Sequence, residues 1–346
     1  MNRMRMKGYF DHIRYFSAAV LIVAGLFSAS SCKRVPLHDP ESSIYLELSP
    51  RLDVGIAVPD TIDLQANPQY NSKLHIATPS RMVACFYDSK THKLADKEYV
   101  DAEGGYISSL PAGTYDMLVY QLGTSSTQTE KDGVRDEMRA FTSDITASAG
   151  RWRRTSADPR TKANNDIVIV EPDHILVARL ASVTIPENAG SDGPFVIKAD
   201  AATSLDTYSF IARNIQGIEN ARTVQAMVTG QAGSKYLWEG NYPLSPANLL
   251  TSAVVDLPHK CFYGVYNTFG NFSGKVCINL IIIATDGQEH IFSSDVTDQV
   301  NDPGNTDHVI YIDDLIEITV SGDSGESGYN PTVDEWDDEI IDIPIS

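Results

Sequence analysis

Apolar and polar residues alternate along the chain in short runs, which is the pattern of β-strands. Residues 44–48 have period two, which is typical of a strand with one buried face. Residues 81–87 are almost all apolar and predict a central strand that is covered on both faces. Residues 115–121 follow a turn rich in proline and glycine and predict a further strand.

Turn signals separate these runs. Asp286-Gly287 lies between two extended stretches and predicts a hairpin with a partner strand over 290–296. Helical spacing of Val134, Met138 and Phe141 predicts one short surface helix within 133–141. Short strands, frequent turns and very little helix together predict an all-β fold, either sandwich or barrel.

The length of the chain suits two domains of ordinary size. Two tandem β-sandwiches are the simplest arrangement, with an N-terminal sandwich over 44–185 and a C-terminal sandwich over 186–346. The second domain ends in an acidic tail. Residues 32–43 contain Pro36 and Pro40 and predict a spacer in front of the first domain.

The amino-terminal segment reads as a secretory signal peptide over residues 1–31. Four basic residues precede an apolar run over 16–27, and small residues follow it. This run is shorter than the roughly 20 residues that span a bilayer. The small residues end at Cys32 and resemble a bacterial lipoprotein signal, although Ala29 stands where leucine is usual. That resemblance implies that Cys32 carries lipid; ordinary cleavage after Ala29 or Ser31 is the alternative.

The charge and the cysteine content of the chain argue against nucleic-acid binding and against a disulfide-rich fold. Removal of residues 1–31, with four basic residues and one acidic residue, takes the formal net charge from −19 to −22. Such an acidic chain repels nucleic acid, so no nucleic-acid partner is expected. Apart from Cys32 the chain has Cys85, Cys261 and Cys277, an odd number, which argues against a disulfide framework. Cys261 and Cys277 could pair, or both could be buried thiols.

The sequence contains no nucleophile elbow, zinc-protease helix or phosphate-binding loop. We therefore expect no catalytic residue, no metal site, no cofactor and no enzymatic activity. Asp302, Asn305 and Asp307 could offer oxygen ligands to calcium, but their spacing is not that of an EF-hand, and a plain acidic turn is the preferred interpretation.

Several stretches resemble the fimbrillin-like lipoproteins of Bacteroidales bacteria. They are residues 82–88, Gly104-Gly105, 110–120, 218–230, 267–270, 286–287, 294–300 and 333–336. The resemblance implies two transthyretin-like domains, attachment to the outer membrane and a place on the cell surface or in a fimbrium. It also implies a structural or accessory fimbrial subunit with adhesive function and other fimbrial subunits as partners.

Pilins of this kind often polymerise by strand addition after a protease removes their first strand. The matching bond here would be Arg51-Leu52, directly after the first predicted strand; a solvated arginine in a turn is the alternative. Ile341, Ile343 and Ile345 alternate with other residues near the end of the chain. They predict a strand within 332–345 that docks on its own subunit or on the next one.

A second hypothesis is a standalone surface lipoprotein that binds a glycan or a host ligand. Such a site usually gathers exposed aromatic side chains. Trp152, Trp238 and Trp336 are far apart in sequence, so only the fold could bring them together.

Overall fold

A computed structural model describes residues 44–108, 110–147, 167–243, 246–272 and 274–320. In these ranges the fold is all-β, as predicted. The strands are β1 (Ile44–Pro50), β2 (Arg81–Asp88), β3 (Leu94–Val100), β4 (Gly104–Ile107), β5 (Gly113–Leu122), β6 (Gln128–Glu130), β7 (Arg139–Phe141), β8 (Ile167–Val170), β9 (Leu176–Ile185), β10 (Phe195–Thr203), β11 (Asp206–Ala212), β12 (Ile215–Gln216), β13 (Ala221–Ala232), β14 (Ser234–Tyr236), β15 (Pro246–Ser252), β16 (Val254–Asp256), β17 (Cys261–Thr268), β18 (Cys277–Ala284), β19 (Glu289–Asp295), β20 (Val309–Ile312) and β21 (Ile316–Glu317).

Helix is limited to short segments within the described ranges. They are the 3-10 turns Pro68–Tyr70 and Ile218–Asn220 and the α-helices Asn71–Leu74 and Thr297–Asn301. The helix predicted within 133–141 is wrong. Residues there form one turn followed by β7, because β7 pairs with β6 and β14, while Met138 and Ala140 pack into a buried apolar cluster. Three apolar residues at helical spacing were too short a pattern to outweigh this pairing.

The first half of the chain forms a sheet with the strand order β3-β2-β5-β9-β10-β1-β4. The pairing of β9 with β10 covers only Ala202–Val177 and Thr203–Leu176. On either side of this narrow contact the sheet folds back on itself. Side chains from β1, β4 and β10 therefore share one core with side chains from β2, β5 and β9.

The second half places two sheets around a separate core. One has the order β16-β17-β11-β20 and the other has the order β19-β18-β13-β15-β8. Their inward side chains form a single apolar cluster that includes Phe210, Phe262 and Tyr266. The predicted hairpin at Asp286-Gly287 joins β18 to β19, and Gly287 has the positive φ of 85° that such a tight turn favours.

β2 is buried on both faces, as its sequence predicts. Every residue from Met82 to Tyr87 is fully buried. One face contributes to the core of the first sheet, and the other packs against a third apolar cluster that includes Met138, Leu237 and Phe269. A small sheet, β14-β7-β6, lies at this junction between the two halves.

Strands from both sides of residue 185 share sheets. β10 pairs in parallel with β1 over seven residues, and β8 pairs in parallel with β15. Each half therefore receives one strand from beyond the predicted boundary. The division into 44–185 and 186–346, and the transthyretin-like character of each part, stay predictions.

Candidate functional site

β1 lies inside the first sheet and has a neighbour on each side. It pairs in parallel with β10 from Ile44–Phe195 to Pro50–Ala201 and antiparallel with β4 from Ile44–Ile107 to Glu47–Gly104. The Leu48 N–H also donates to Glu103 O at 2.9 Å. We call the slot between β10 and β4 the acceptor groove.

The inward side chains of β1 fill this groove. Ile44, Leu46 and Leu48 are 1%, 0% and 4% exposed. Burial of one aliphatic side chain contributes about 1.5–3 kcal/mol. Three of them approach the whole stability of a typical domain, about 5–15 kcal/mol. The fold can therefore lose β1 only if another strand with the same alternation takes its place.

Gly104 fixes how closely a strand can approach β4. A side chain at this position would place its Cβ 1.8 Å from Leu46 O, and the backbone φ is +111°. Only glycine meets both conditions without strain. The pair Gly104-Gly105, prominent in the sequence, thus has a physical role on the wall of the acceptor groove.

The Arg51-Leu52 bond lies directly after β1. The Arg51 side chain is exposed, while its N–H donates to Ala201 O at 2.7 Å. Leu52 O accepts from the Ile76 N–H at 2.8 Å. The bond is thus bounded by hydrogen bonds on both sides, and a protease that cuts there must first loosen these contacts.

The chain that follows Arg51 crosses to the second half. We call residues 59–76 the strap. Its apolar residues Ile62, Tyr70 and Leu74 pack against Tyr263 and Val265 of β17. The strap therefore stays attached to the second half through contacts that do not involve β1.

Polar contacts reinforce the strap. Asn67 Nδ2 donates to Tyr263 Oη at 2.7 Å. Lys73 Nζ lies 2.8 Å from Glu171 Oε1 and donates to Val265 O at 2.6 Å. Glu171 also accepts from Thr251 Oγ1 at 2.7 Å and from the Asn267 N–H at 2.9 Å. One carboxylate thus links the strap, β15 and β17.

Asp173, two residues further along, orders the loop after β5. It accepts hydrogen bonds from the main-chain N–H groups of Ser125, Ser126 and Thr127 and from Ser126 Oγ. Burial alone would raise the pKa of this carboxyl, but these four donors outweigh it and hold the pKa below its usual value.

His174 is buried beside this network. Its Nδ1 lies 2.8 Å from Thr203 Oγ1 and its Nε2 lies 2.9 Å from Lys73 O. Burial lowers the pKa of the imidazole, so the neutral form is favoured. Both ring nitrogens therefore have a hydrogen-bond partner, and the side chain has a structural role between Lys73 and Thr203. No group of three or more His, Cys, Asp or Glu side chains within the described ranges is placed to hold a metal ion.

The remaining predicted residues are scattered. Cys32, Trp152, Trp336 and the tail over 332–345 lie outside the described residues. Trp238 is partly buried, and the Arg135 guanidinium lies 4.5 Å from its ring centroid. Asp302 accepts a hydrogen bond from the Gly304 N–H within its own turn.

The three described cysteines carry free thiols. Cys261 lies on β17 and Cys277 on β18, in different sheets of the second half. Burial raises the pKa of Cys85 and of Cys261 to about 11, so these thiols are poor nucleophiles at neutral pH.

Comparison with known proteins places the chain in a family. A family profile described as a domain of unknown function, DUF5119, matches residues 71–250. The chain belongs to the DUF5119 family. The matched residues contain β2 to β14 and most of β15, but not β1. The family pattern therefore covers both walls of the acceptor groove, β4 and β10. No curated protein matches the sequence.

Several solved structures resemble this member of the family. A candidate adhesin from Bacteroides ovatus aligns with a TM-score of 0.56 and 15% identity, over 83% of this chain and 93% of the adhesin. The fimbrial anchor protein Mfa2 from Porphyromonas gingivalis aligns with a TM-score of 0.42 and 10% identity, over 73% of this chain and 82% of Mfa2. The likeness to the adhesin shows a common fold. None of the helices in the described ranges is long and apolar enough to cross a membrane.

Gly104→Ala is expected to separate β4 from β1. The variant combines left-handed strain, about 1–3 kcal/mol, with a collision against the backbone of Leu46. Gly123→Ala is the matched control, because Gly123 has a φ of +86° and open space around its Cβ position. Urea unfolding should show a larger decrease in the free energy of unfolding for Gly104→Ala than for the control. Hydrogen exchange should show lost amide protection on β1. Equal losses would contradict this account of the groove wall.

Asp173→Asn is expected to lower the free energy of unfolding at pH 7 by about 1–3 kcal/mol, because four donors lose a charged acceptor. In the parent chain the pKa of Asp173 is lower in the folded state than in the unfolded state, where it is about 4. The carboxylate therefore stabilises the fold above about pH 4, and this contribution is lost as the pH falls through the folded pKa. Urea unfolding at pH 7 and pH 3 should therefore show a smaller acid effect in the variant. Asp192→Asn, at an exposed site, is the control. An unchanged acid effect would exclude Asp173 as its source.

Proposed function

We propose that the chain is a lipid-anchored cell-envelope protein, a fimbrillin-like structural or accessory subunit of fimbriae assembled by strand addition. The proposal rests on the position of β1 between β10 and β4. Its three buried aliphatic side chains fill the acceptor groove, and an exposed arginine follows it directly. The fold in common with a candidate adhesin supports a role on the cell surface.

Removal of β1 would leave a groove that needs a replacement strand. Cleavage at Arg51-Leu52 detaches β1 from the rest of the chain, while the strap keeps the new amino terminus on the second half. An incoming strand would gain main-chain hydrogen bonds from β10 and β4 and would be selected by the pockets for its side chains.

The carboxy-terminal segment has the composition of such a strand. Ile341, Ile343 and Ile345 have the same spacing as Ile44, Leu46 and Leu48. The proposed donor is this segment of a neighbouring subunit. The same segment could instead complete its own subunit, which the truncation below distinguishes.

Cys32 is the proposed lipid attachment site. The spacer from 33 to 43 would separate the outer membrane from the first strand. More than one acyl chain is needed for stable anchoring, because each buried CH₂ contributes only about 0.8 kcal/mol.

Cys32→Ala should abolish lipid attachment and leave an unprocessed or soluble product. Cells expressing the variant and the parent chain would be labelled with a radioactive fatty acid and separated into membrane and soluble fractions. Cys85→Ala is the control, because Cys85 is buried in β2 and should have no effect on labelling. Continued labelling and membrane partition of Cys32→Ala would overturn the proposed anchor.

Limited digestion with an Arg-specific protease should convert the purified chain into polymers that appear as a ladder on denaturing gels without boiling. Arg51→Gln should prevent the ladder, because the first strand can no longer be removed. Arg81→Gln, at the exposed start of β2, is the control and should leave the ladder unchanged. A ladder from Arg51→Gln would locate the cut elsewhere and contradict the proposed role of this bond.

A chain that ends at Ser327 tests the donor. It should keep the melting temperature of the parent chain and accept a strand after cleavage, but it should not extend a polymer. A truncated chain that melts many degrees lower at every concentration would assign the tail to its own domain.

A further inference from the structure

β20 is an edge strand of the four-stranded sheet, and its outer edge is occupied by side chains. Among the strands of the described residues, β20 pairs with β11 alone, in parallel. The Ser209 N–H donates to His308 O and the Arg213 N–H donates to Ile312 O. The main-chain groups of Val309 and Tyr311 therefore point away from β11, because strand residues alternate in direction.

Two side-chain carboxamides satisfy these outward groups. Gln299 Oε1 accepts from the Tyr311 N–H at 2.8 Å, and Gln299 Nε2 donates to Tyr311 O at 2.8 Å. Asn305 Oδ1 accepts from the Val309 N–H at 3.1 Å, and Asn305 Nδ2 donates to Val309 O at 3.1 Å. Each carboxamide thus imitates the peptide group of a neighbouring strand.

The two carboxamides are held together and held in place. Asn305 Nδ2 also donates to Gln299 O at 3.0 Å. Gln299 lies on the helix Thr297–Asn301, and Thr297 Oγ1 accepts from the Val276 N–H at 3.0 Å. We call Gln299 and Asn305 the edge blocker, because together they cover the hydrogen-bonding groups of two alternate residues of β20.

We propose that the β20 edge is a strand-pairing surface for a second copy of this chain and that the edge blocker keeps it closed. An exposed strand edge with unpaired main-chain N–H and C=O groups is a template for association unless it is covered. Two antiparallel copies related by a two-fold axis that passes between their facing Ile310 residues would place Val309 of one copy opposite Tyr311 of the other. The groups now bonded to Gln299 and Asn305 would then bond to each other across the axis.

The surroundings of the edge favour this occupant. Tyr311 and Leu315 are 38% and 47% exposed and would extend the contact beyond the backbone. The same short strand is available on every copy, so the surface is complementary to itself. The acidic charge of the chain opposes association, and added salt screens this repulsion. This inference does not depend on the acceptor groove, because it concerns the uncleaved chain.

The test uses the uncleaved full chain with Cys32→Ala and measures mass by sedimentation velocity over a concentration series in moderate salt. The double variant Gln299→Met, Asn305→Ala should show a two-fold rise in mass with concentration, while the parent chain remains monomeric. Gln65→Ala, an exposed glutamine in the strap, is the control and should also remain monomeric.

Tyr311→Pro added to the double variant should restore the monomer. Proline removes an N–H that points away from β11, so the native sheet is kept while edge pairing is lost. A double variant that stays monomeric at every concentration would overturn the proposal. So would a dimer that persists with Tyr311→Pro, since its contact would lie elsewhere.

Gln299→Met alone covers the case in which the double variant does not fold. It keeps the length of the side chain, leaves Asn305 and its loop intact, and exposes only the Tyr311 groups. A native melting temperature with weaker but measurable dimerisation is expected. A folded, monomeric single variant together with an unfolded double variant would count against the proposal, because the edge blocker would then serve stability alone.

Discussion

The burial of β1 between two strands that come from distant parts of the chain is the constraint on which the rest of the first half depends. Its aliphatic side chains belong to the same core as those of β2, β5 and β9. The narrow contact between β9 and β10 leaves the sheet open there, and β1 is the strand that joins β10 to β4. Without it, the two parts of the folded sheet have a gap in the core they share.

The sheet edges at β8, β20 and β3 are protected in three different ways, although the requirement is the same: an edge must not be left open to pairing. The outer side of β8 is covered by residues 143–146, through Ile145 N–H to Val168 O at 2.8 Å and Val170 N–H to Ser143 O at 3.1 Å. The outer edge of β20 is covered by the side-chain carboxamides of Gln299 and Asn305 instead of by main-chain groups. β3, at the far edge of the first sheet, carries three consecutive charged residues, Asp96, Lys97 and Glu98. Covered edges prevent unspecific pairing with strands of other molecules.

Local patterns in the sequence predicted those structural features that depend on residues close together in the chain. The alternation of β1, the continuous burial of β2 and the Asp286-Gly287 hairpin are all properties of short segments, and the structure confirms them. The helix within 133–141 failed because pairing with β14, far along the chain, decided the conformation of β7. Such pairing has no signal in a window of nine residues.

The candidate groove was only partly predictable for the same reason. Arg51 and the paired glycines 104 and 105 stand out in the sequence, but nothing there brings β10 beside β1. Gln299 and Asn305 carry no recognisable motif; their role follows from the register of β20 and β11. The exchange of β8 and β10 between the halves likewise escapes any search for a boundary by composition.

The distance along the chain between β1 and β10 also sets the order in which the first half can form. Glu47 and Lys198, which face each other in the parallel pair, are 151 residues apart. During synthesis, β4 becomes available to β1 long before its second neighbour, β10, has emerged. Closure of so long a loop is slow relative to local hairpins. The topology therefore gives β1 one available neighbour, β4, well before the other, and until β10 is made only one side of β1 can be paired.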